Sequence, residues 1–117
     1  MNSPKRPINN HEHYHAHVYF SADTLDFATR LCQEAGTQFS LEIGRVHQKP
    51  VGPHTQWSCQ IKFDKAHFEQ FIPWLDTNRA NLNVLVHAVT GNDYIDHTDY
   101  AYWLGDEEKL KLEIFKK

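Results

Sequence analysis

Residues 13–20, His-Tyr-His-Ala-His-Val-Tyr-Phe, constrain the fold more than any other stretch of the chain. Tyr14, Ala16, Val18 and Phe20 alternate with His13, His15, His17 and Tyr19. A period of two places the two sets on opposite faces of an extended strand. The first face suits a core. The second is built of imidazoles, which fill a core poorly and bind metals well. The chain therefore needs a sheet with one face covered and the other left to the histidines.

The remaining segments supply such a sheet. Residues 1–12 are polar with two prolines and read as a flexible lead-in to a single domain over 13–117. After the first strand, Asp23 is placed to cap a helix whose stripe is Phe27, Ala28, Leu31, Cys32 and Ala35, with Gly36 as its stop. Phe39, Leu41 and Ile43 alternate as a second strand. Residues 45–56 contain Lys49-Pro50-Val51-Gly52-Pro53-His54 and read as a loop. Trp57, Cys59, Ile61 and Phe63 mark a third strand. Asp64 caps a second helix with the stripe Phe68, Phe71, Ile72 and Leu75, which Pro73 is expected to kink or split. Leu82 to His87 form a fourth strand. Residues 96–104 read as one short helix ended by Gly105, and 110–115 as a short edge strand.

The order β-α-β-β-α-β with a C-terminal extension is the ferredoxin-like α+β sandwich. It implies a four-stranded sheet of the antiparallel class, in the order fourth, first, third, second, with both helices on one face. Within it we expect the first and third strands to lie side by side and parallel, with the fourth antiparallel to the first.

Composition narrows the function. The net charge is −3 with no long run of one sign, so neither a nucleic-acid nor an anionic-membrane surface is indicated. No apolar run approaches a membrane span, and the start of the chain lacks the apolar centre of a signal peptide. Cys32 and Cys59 fall in element interiors and read as buried thiols of a reducing, cytoplasmic protein. No Gly-rich phosphate loop, CxxC pair or serine-nucleophile motif is present. Histidine stands out, at 9 of 117 residues.

The expected topology brings His15, His17, His54 and His87 to one end of the sheet, on the face away from the helices. Three or four converging imidazoles suit iron, zinc, copper or nickel, and ligand type alone does not choose among them. The plainer readings are a chance cluster on an open polar face, or a face that buries against a second subunit. Glu42 lies on the same face one strand further out. His11, His13 and His67 read as solvated side chains. Arg79 is either a surface cation or a clamp for a substrate carboxylate. His97 either caps a short helix or donates a proton. Trp57, Trp74 and Trp103 read as core or interface.

Taken in order, His15-Ala16-His17-Val18-Tyr19-Phe20, Gly52-Pro53-His54, Asn78-Arg79, Leu82 to His87, Asp96-His97 and Ala101-Tyr102-Trp103-Leu104-Gly105 resemble the DOPA 4,5-dioxygenase family of fungi and bacteria. The likeness spans about residues 13–105; Thr55 and Ala88 stand where that family usually has proline. The resemblance implies extradiol cleavage of a catechol such as DOPA, using O₂ and a histidine-bound non-haem Fe(II), with zinc or another divalent metal as the alternative occupant. It implies His17, His54 and His87 as metal ligands, and His15 as a fourth ligand or the base. His97 is then the acid or base, and Arg79 the contact for an amino-acid carboxylate. Iron triads commonly include a carboxylate, for which Glu42 is the nearest residue. A homodimer is expected, which could roof the site. The alternative functions are a non-catalytic dimeric domain that binds a metal or an aromatic, and a zinc hydrolase. An all-imidazole site would be expected to lose metal on acidification.

Overall fold

The computed structural model describes residues 4–116. Its strands are β1 (His13–Phe20), β2 (Glu42–His47), β3 (Trp57–Asp64), β4 (Val84–Ala88) and β5 (Ala101–Leu104). Its helices are α1 (Leu25–Phe39), α2 (Lys65–Asn78) and the single turn α3 (Asp93–Asp96). Residues 1–3 of the expected lead-in lie outside the described residues.

The strands form one sheet in the order β2-β3-β1-β4-β5. The ferredoxin-like order is thus present, extended by a fifth strand beside β4. Every neighbouring pair is antiparallel, including β1 with β3, where His13 faces Asp64 and Phe20 faces Trp57. The expected parallel β1/β3 pair is therefore incorrect. The helical crossover brings β2 back in the direction of β1, and the β2–β3 connection then reverses it, so β3 must oppose β1.

The core follows the alternation. Tyr14, Ala16 and Val18 are fully buried with Ile61, Val84 and Val86 of adjacent strands. They share one cluster with Leu31, Cys32 and Ala35 of α1 and Phe68, Phe71 and Leu75 of α2. Tyr14 stacks on Phe63 with ring centroids 5.2 Å apart. Cys32 and Cys59 are free and buried.

Several boundaries differ from expectation. The turn Ala22–Thr24 precedes α1, so Ser21 rather than Asp23 opens the helical region, donating its N–H to Thr24 Oγ1 at 3.0 Å. Phe27 is exposed. Gly36 does not stop α1, which runs on to Phe39 and ends at Ser40 in the left-handed conformation, φ 56°. Gly36 serves packing instead, since a Cβ there would lie 2.7 Å from Ile43 Cγ1. Phe39 therefore belongs to α1 rather than β2. Asp64 caps α2 as expected, its Oδ1 accepting from His67 N at 3.2 Å. Helix α2 continues through Pro73. Burial of Phe68, Phe71, Ile72 and Leu75 against the sheet outweighs the local breaker.

The expected helix over 96–104 is one turn followed by β5. Residues 101–104 alternate: Tyr102 and Leu104 join the main core, while Ala101 and Trp103 join Tyr19 and Leu85 on the opposite face. A period of two within four residues was overlooked in favour of a helix. The expected tail strand is a short 3₁₀ turn, Leu112–Phe115. The lead-in, expected to be flexible, carries contacts of its own. Lys5 O accepts from Trp103 N at 2.8 Å, Ile8 O from Tyr14 Oη at 3.2 Å, and His11 packs on Tyr100.

Candidate active site

The histidine face is organised by strand register. His15 pairs with His87 across β1 and β4, and His17 pairs with Leu85. His17 is therefore the diagonal neighbour of His87 on the same face, within reach of a ring. The Nε2 atoms of His17 and His87 lie 3.0 Å apart, and both side chains are buried. One ring nitrogen from each of His15, His17 and His87 falls within 4.8 Å of the others. The His17–His87 contact is a hydrogen bond between the two rings, and its length would also let both nitrogens reach one metal ion at bonds of about 2.1 Å.

The proton on His87 is positioned for such a role. Its Nδ1 lies 2.7 Å from Ala88 O, a carbonyl that can only accept, so Nδ1 carries the hydrogen and Nε2 keeps its lone pair. Burial, followed by the neighbouring imidazoles, lowers the pKa of His17 well below the ordinary value. Burial and His97 likewise push His87 down to about 3. His15 is lowered by burial and by Lys62. Each shift favours the neutral ring that a ligand must be. Burial therefore opposes the loss of metal expected on acidification.

Two further histidines border the cluster from loops. His54 packs on His17 with centroids 4.2 Å apart, and its Nδ1 lies 2.7 Å from Tyr19 Oη. Burial, ahead of the charges of His97 and His47, pushes it down to about 4. His97 packs on His87 at 4.1 Å and on Phe115 at 4.7 Å. Its Nδ1 donates to Asp93 O at 2.7 Å, which leaves Nε2 as an acceptor.

The two loops roof the face together with the C-terminal segment. Lys111 N donates to Pro53 O at 2.8 Å and Thr55 Oγ1 donates to Lys109 O at 2.9 Å. Leu110 packs on Tyr19, Leu85, Ala101 and Trp103. A cavity of about 500 Å³ opens beside His97, between Trp103 and Leu110. A smaller one of about 150 Å³ lies beside His17 and His54, against Ser58 and Gln60.

The structure thus brings His15, His17, His54, His87 and His97 together, as the sequence led us to expect, although β1 and β3 run in opposite directions. His54 reaches His17 because its loop folds back over the sheet. Arg79 is placed elsewhere. Its Nε donates to Asp76 Oδ1 at 2.8 Å and its Nη1 to Leu82 O at 3.1 Å, before the start of β4, whereas His87 lies near that strand's far end. Glu42 is the first residue of β2, exposed, and separated from His15 by Lys62. Buried Asp96 has both carboxylate oxygens engaged by Thr90, Oγ1 at 2.6 Å and N at 2.9 Å. Among the described residues the metal-type cluster is purely histidine. The role of Tyr19 beside His54 was missed, although strand parity had already put it on the histidine face.

The fold and the cluster define an α+β domain whose His15, His17 and His87 could together hold a metal ion. The chain belongs to the Dopa 4,5-dioxygenase family, whose model matches residues 14–114. It is 31% identical to an uncharacterized 21.2 kDa protein of Botryotinia fuckeliana, over 89% of this chain and 63% of that one. It is 29% identical to a DOPA 4,5-dioxygenase of Amanita muscaria, over 85% of this chain and 47% of the relative. The chain therefore spans only about half to under two thirds of the length of these relatives. A crystal structure of a proposed dioxygenase from Nostoc punctiforme superimposes with a TM-score of 0.87 at 38% identity, covering 96% of this chain and 97% of that one.

Proposed function

We propose that the protein is an extradiol ring-cleaving dioxygenase that acts on a catechol such as DOPA, with iron(II) held by His15, His17 and His87. The observation that carries this reading is the convergence of three imidazole nitrogens within 4.8 Å on the buried face of the sheet. Membership of a dioxygenase family supports it. The ligand set replaces His54 with His15 relative to the expectation from sequence, because it is His15 that supplies the third converging nitrogen.

Iron(II) at these nitrogens would supply Lewis acidity toward the catechol hydroxyls and a meeting point for the ring and O₂. The chain's own residues do the rest. His87 presents a bare Nε2 because Ala88 O holds its Nδ1 hydrogen. His97 presents a bare Nε2 because Asp93 O holds its Nδ1 hydrogen, which suits it to accept a hydroxyl proton. The cavity of about 500 Å³ beside His97 takes the ring and its side chain. The loop 48–56 and the C-terminal segment exclude bulk water. Both oxygen atoms enter the product, a ring-opened semialdehyde.

The test is to load the protein anaerobically with Fe(II), add DOPA, admit oxygen, and follow oxygen uptake and visible absorbance. One O₂ consumed per catechol, with a yellow product that is absent in His87→Ala, is the expected result. Bound iron without oxygen uptake on any catechol would overturn the reading in favour of a metal- or aromatic-binding domain.

A further inference from the structure

We infer that Tyr19 is a positioning residue: it donates its hydroxyl proton to Nδ1 of His54 and so fixes His54 with its own proton on Nε2, making His54 a hydrogen-bond donor at the centre and not a ligand of the metal. This rests on the histidine cluster being the reacting centre.

The argument is one of proton accounting. Tyr19 Oη and His54 Nδ1 are 2.7 Å apart, and the two residues are 3% and 5% exposed. Among the described residues this is the only hydrogen bond of the Tyr19 hydroxyl. Were Nδ1–H the donor, the phenol hydrogen would be buried with no acceptor, which proteins avoid. With the phenol as donor, both groups are satisfied. The neutral ring then carries its hydrogen on Nε2. Metal binding at Nε2 would require the ring hydrogen to move to Nδ1 and the phenol to reverse its bond, which would leave the phenol hydrogen without an acceptor. This accounts for a ring that packs 4.2 Å from His17 yet stands outside the converging nitrogens of His15, His17 and His87.

The same accounting gives His87 and His97 the opposite tautomer, since both donate Nδ1–H to a carbonyl. The centre therefore holds acceptors at Nε2 of His87 and His97, and a donor at Nε2 of His54. The donor is held firmly. His54 N closes a turn on Val51 O at 3.0 Å, and Gly52 supplies the positive φ of 55° that the turn requires. The C-terminal segment clamps the flanking residues through Pro53 O and Thr55 Oγ1. Tyr19 sits two residues from His17 on the same face, so one strand supplies both a ligand and the group that orients the donor.

The experiment reads the tautomer directly, in the metal-free protein, by long-range ¹H–¹⁵N NMR of the histidine rings. His54 is expected to show a bare Nδ1 and a protonated Nε2, the reverse of His87 and His97. In Tyr19→Phe, which keeps the ring volume, that preference is expected to relax toward a mixture, with about a tenfold fall in kcat and little change in KM. Zn(II) titration supplies the second readout. His54→Gln should weaken binding by less than about tenfold, the lower edge of what residues beyond the ligands contribute, whereas His87→Ala should abolish tight binding. A wild-type His54 with its proton on Nδ1, or loss of zinc binding in His54→Gln comparable to that in His87→Ala, would overturn the inference. Failure of oxygen uptake with the tautomer intact would instead refute the proposed reaction.

Discussion

Acidification should unfold the metal-free protein through its histidine face. Burial, ahead of neighbouring imidazoles, holds His87 down at about 3 and His54 at about 4. His17 and His15 are shifted the same way. In the unfolded chain each histidine titrates near about 6.5. Below that pH the unfolded chain binds protons that the folded chain refuses, so stability falls as pH falls. The loss starts as pH drops through the unfolded value and is complete only below the folded values. At pH 5, about 1.5 pH units below the unfolded value, His54 and His87 each cost about 2 kcal/mol, or about 4 kcal/mol together. A domain of this size holds roughly 5–15 kcal/mol in total, so the effect is large. The assay is urea unfolding in EDTA, followed by tryptophan fluorescence at pH 7.5 and pH 5. The midpoint should drop by about 1–4 M, given an m-value near 1–3 kcal/mol/M. In His87→Leu the drop should shrink by about 2 kcal/mol. Equal midpoints at the two pH values, or an undiminished drop in His87→Leu, would refute the reasoning.

Other outcomes follow from the same geometry. His15→Ala should weaken Zn(II) or Fe(II) binding by at least about tenfold, whereas His13→Ala, exposed at the start of the same strand, should leave it unchanged by calorimetry. Iron-loaded protein dialysed at pH 5.5 should retain its metal by elemental analysis, because burial disfavours the charged form of each ligand. Gly105→Ala should destabilise by about 2–4 kcal/mol in urea melts, since φ is 83° and the new Cβ would lie 2.5 Å from Asn83 Oδ1. Phe115→Ala, which removes the ring stacked on His97, should raise KM for the catechol by about tenfold with a smaller effect on kcat.

Alternation carried most of the legible information. The buried set of β1 and the stripes of both main helices could be read because each repeats a simple period over many residues. The meeting of His15, His17 and His87 was readable for the same reason, since parity places them on one face, whereas His54 was expected there from a parallel β1/β3 pair that the structure reverses. The direction of β3 was misjudged although the element order alone implies it. Four residues of β5 were too few to compete with a neighbouring capped turn. Gly36 misled because close helix–strand packing and helix termination both favour glycine. The choice between His15 and His54 as third converging nitrogen had no sequence signal. It depends on how the His54 ring is held, and that follows from its bond with Tyr19 Oη.

The histidines are divided between two kinds of support. His15, His17 and His87 stand on paired central strands, whereas His54 and His97 stand on irregular segments closed by the chain's end. Insertion of a single residue into β1 before Tyr14 would exchange the faces of that strand, sending imidazoles toward the helices and Tyr14 into the open. Changes of length within residues 48–56 meet no such barrier. Lineages descended from a common ancestor can therefore remodel the roof, and with it the size and polarity of what enters, while the spacing of the nitrogens beneath it is inherited unchanged.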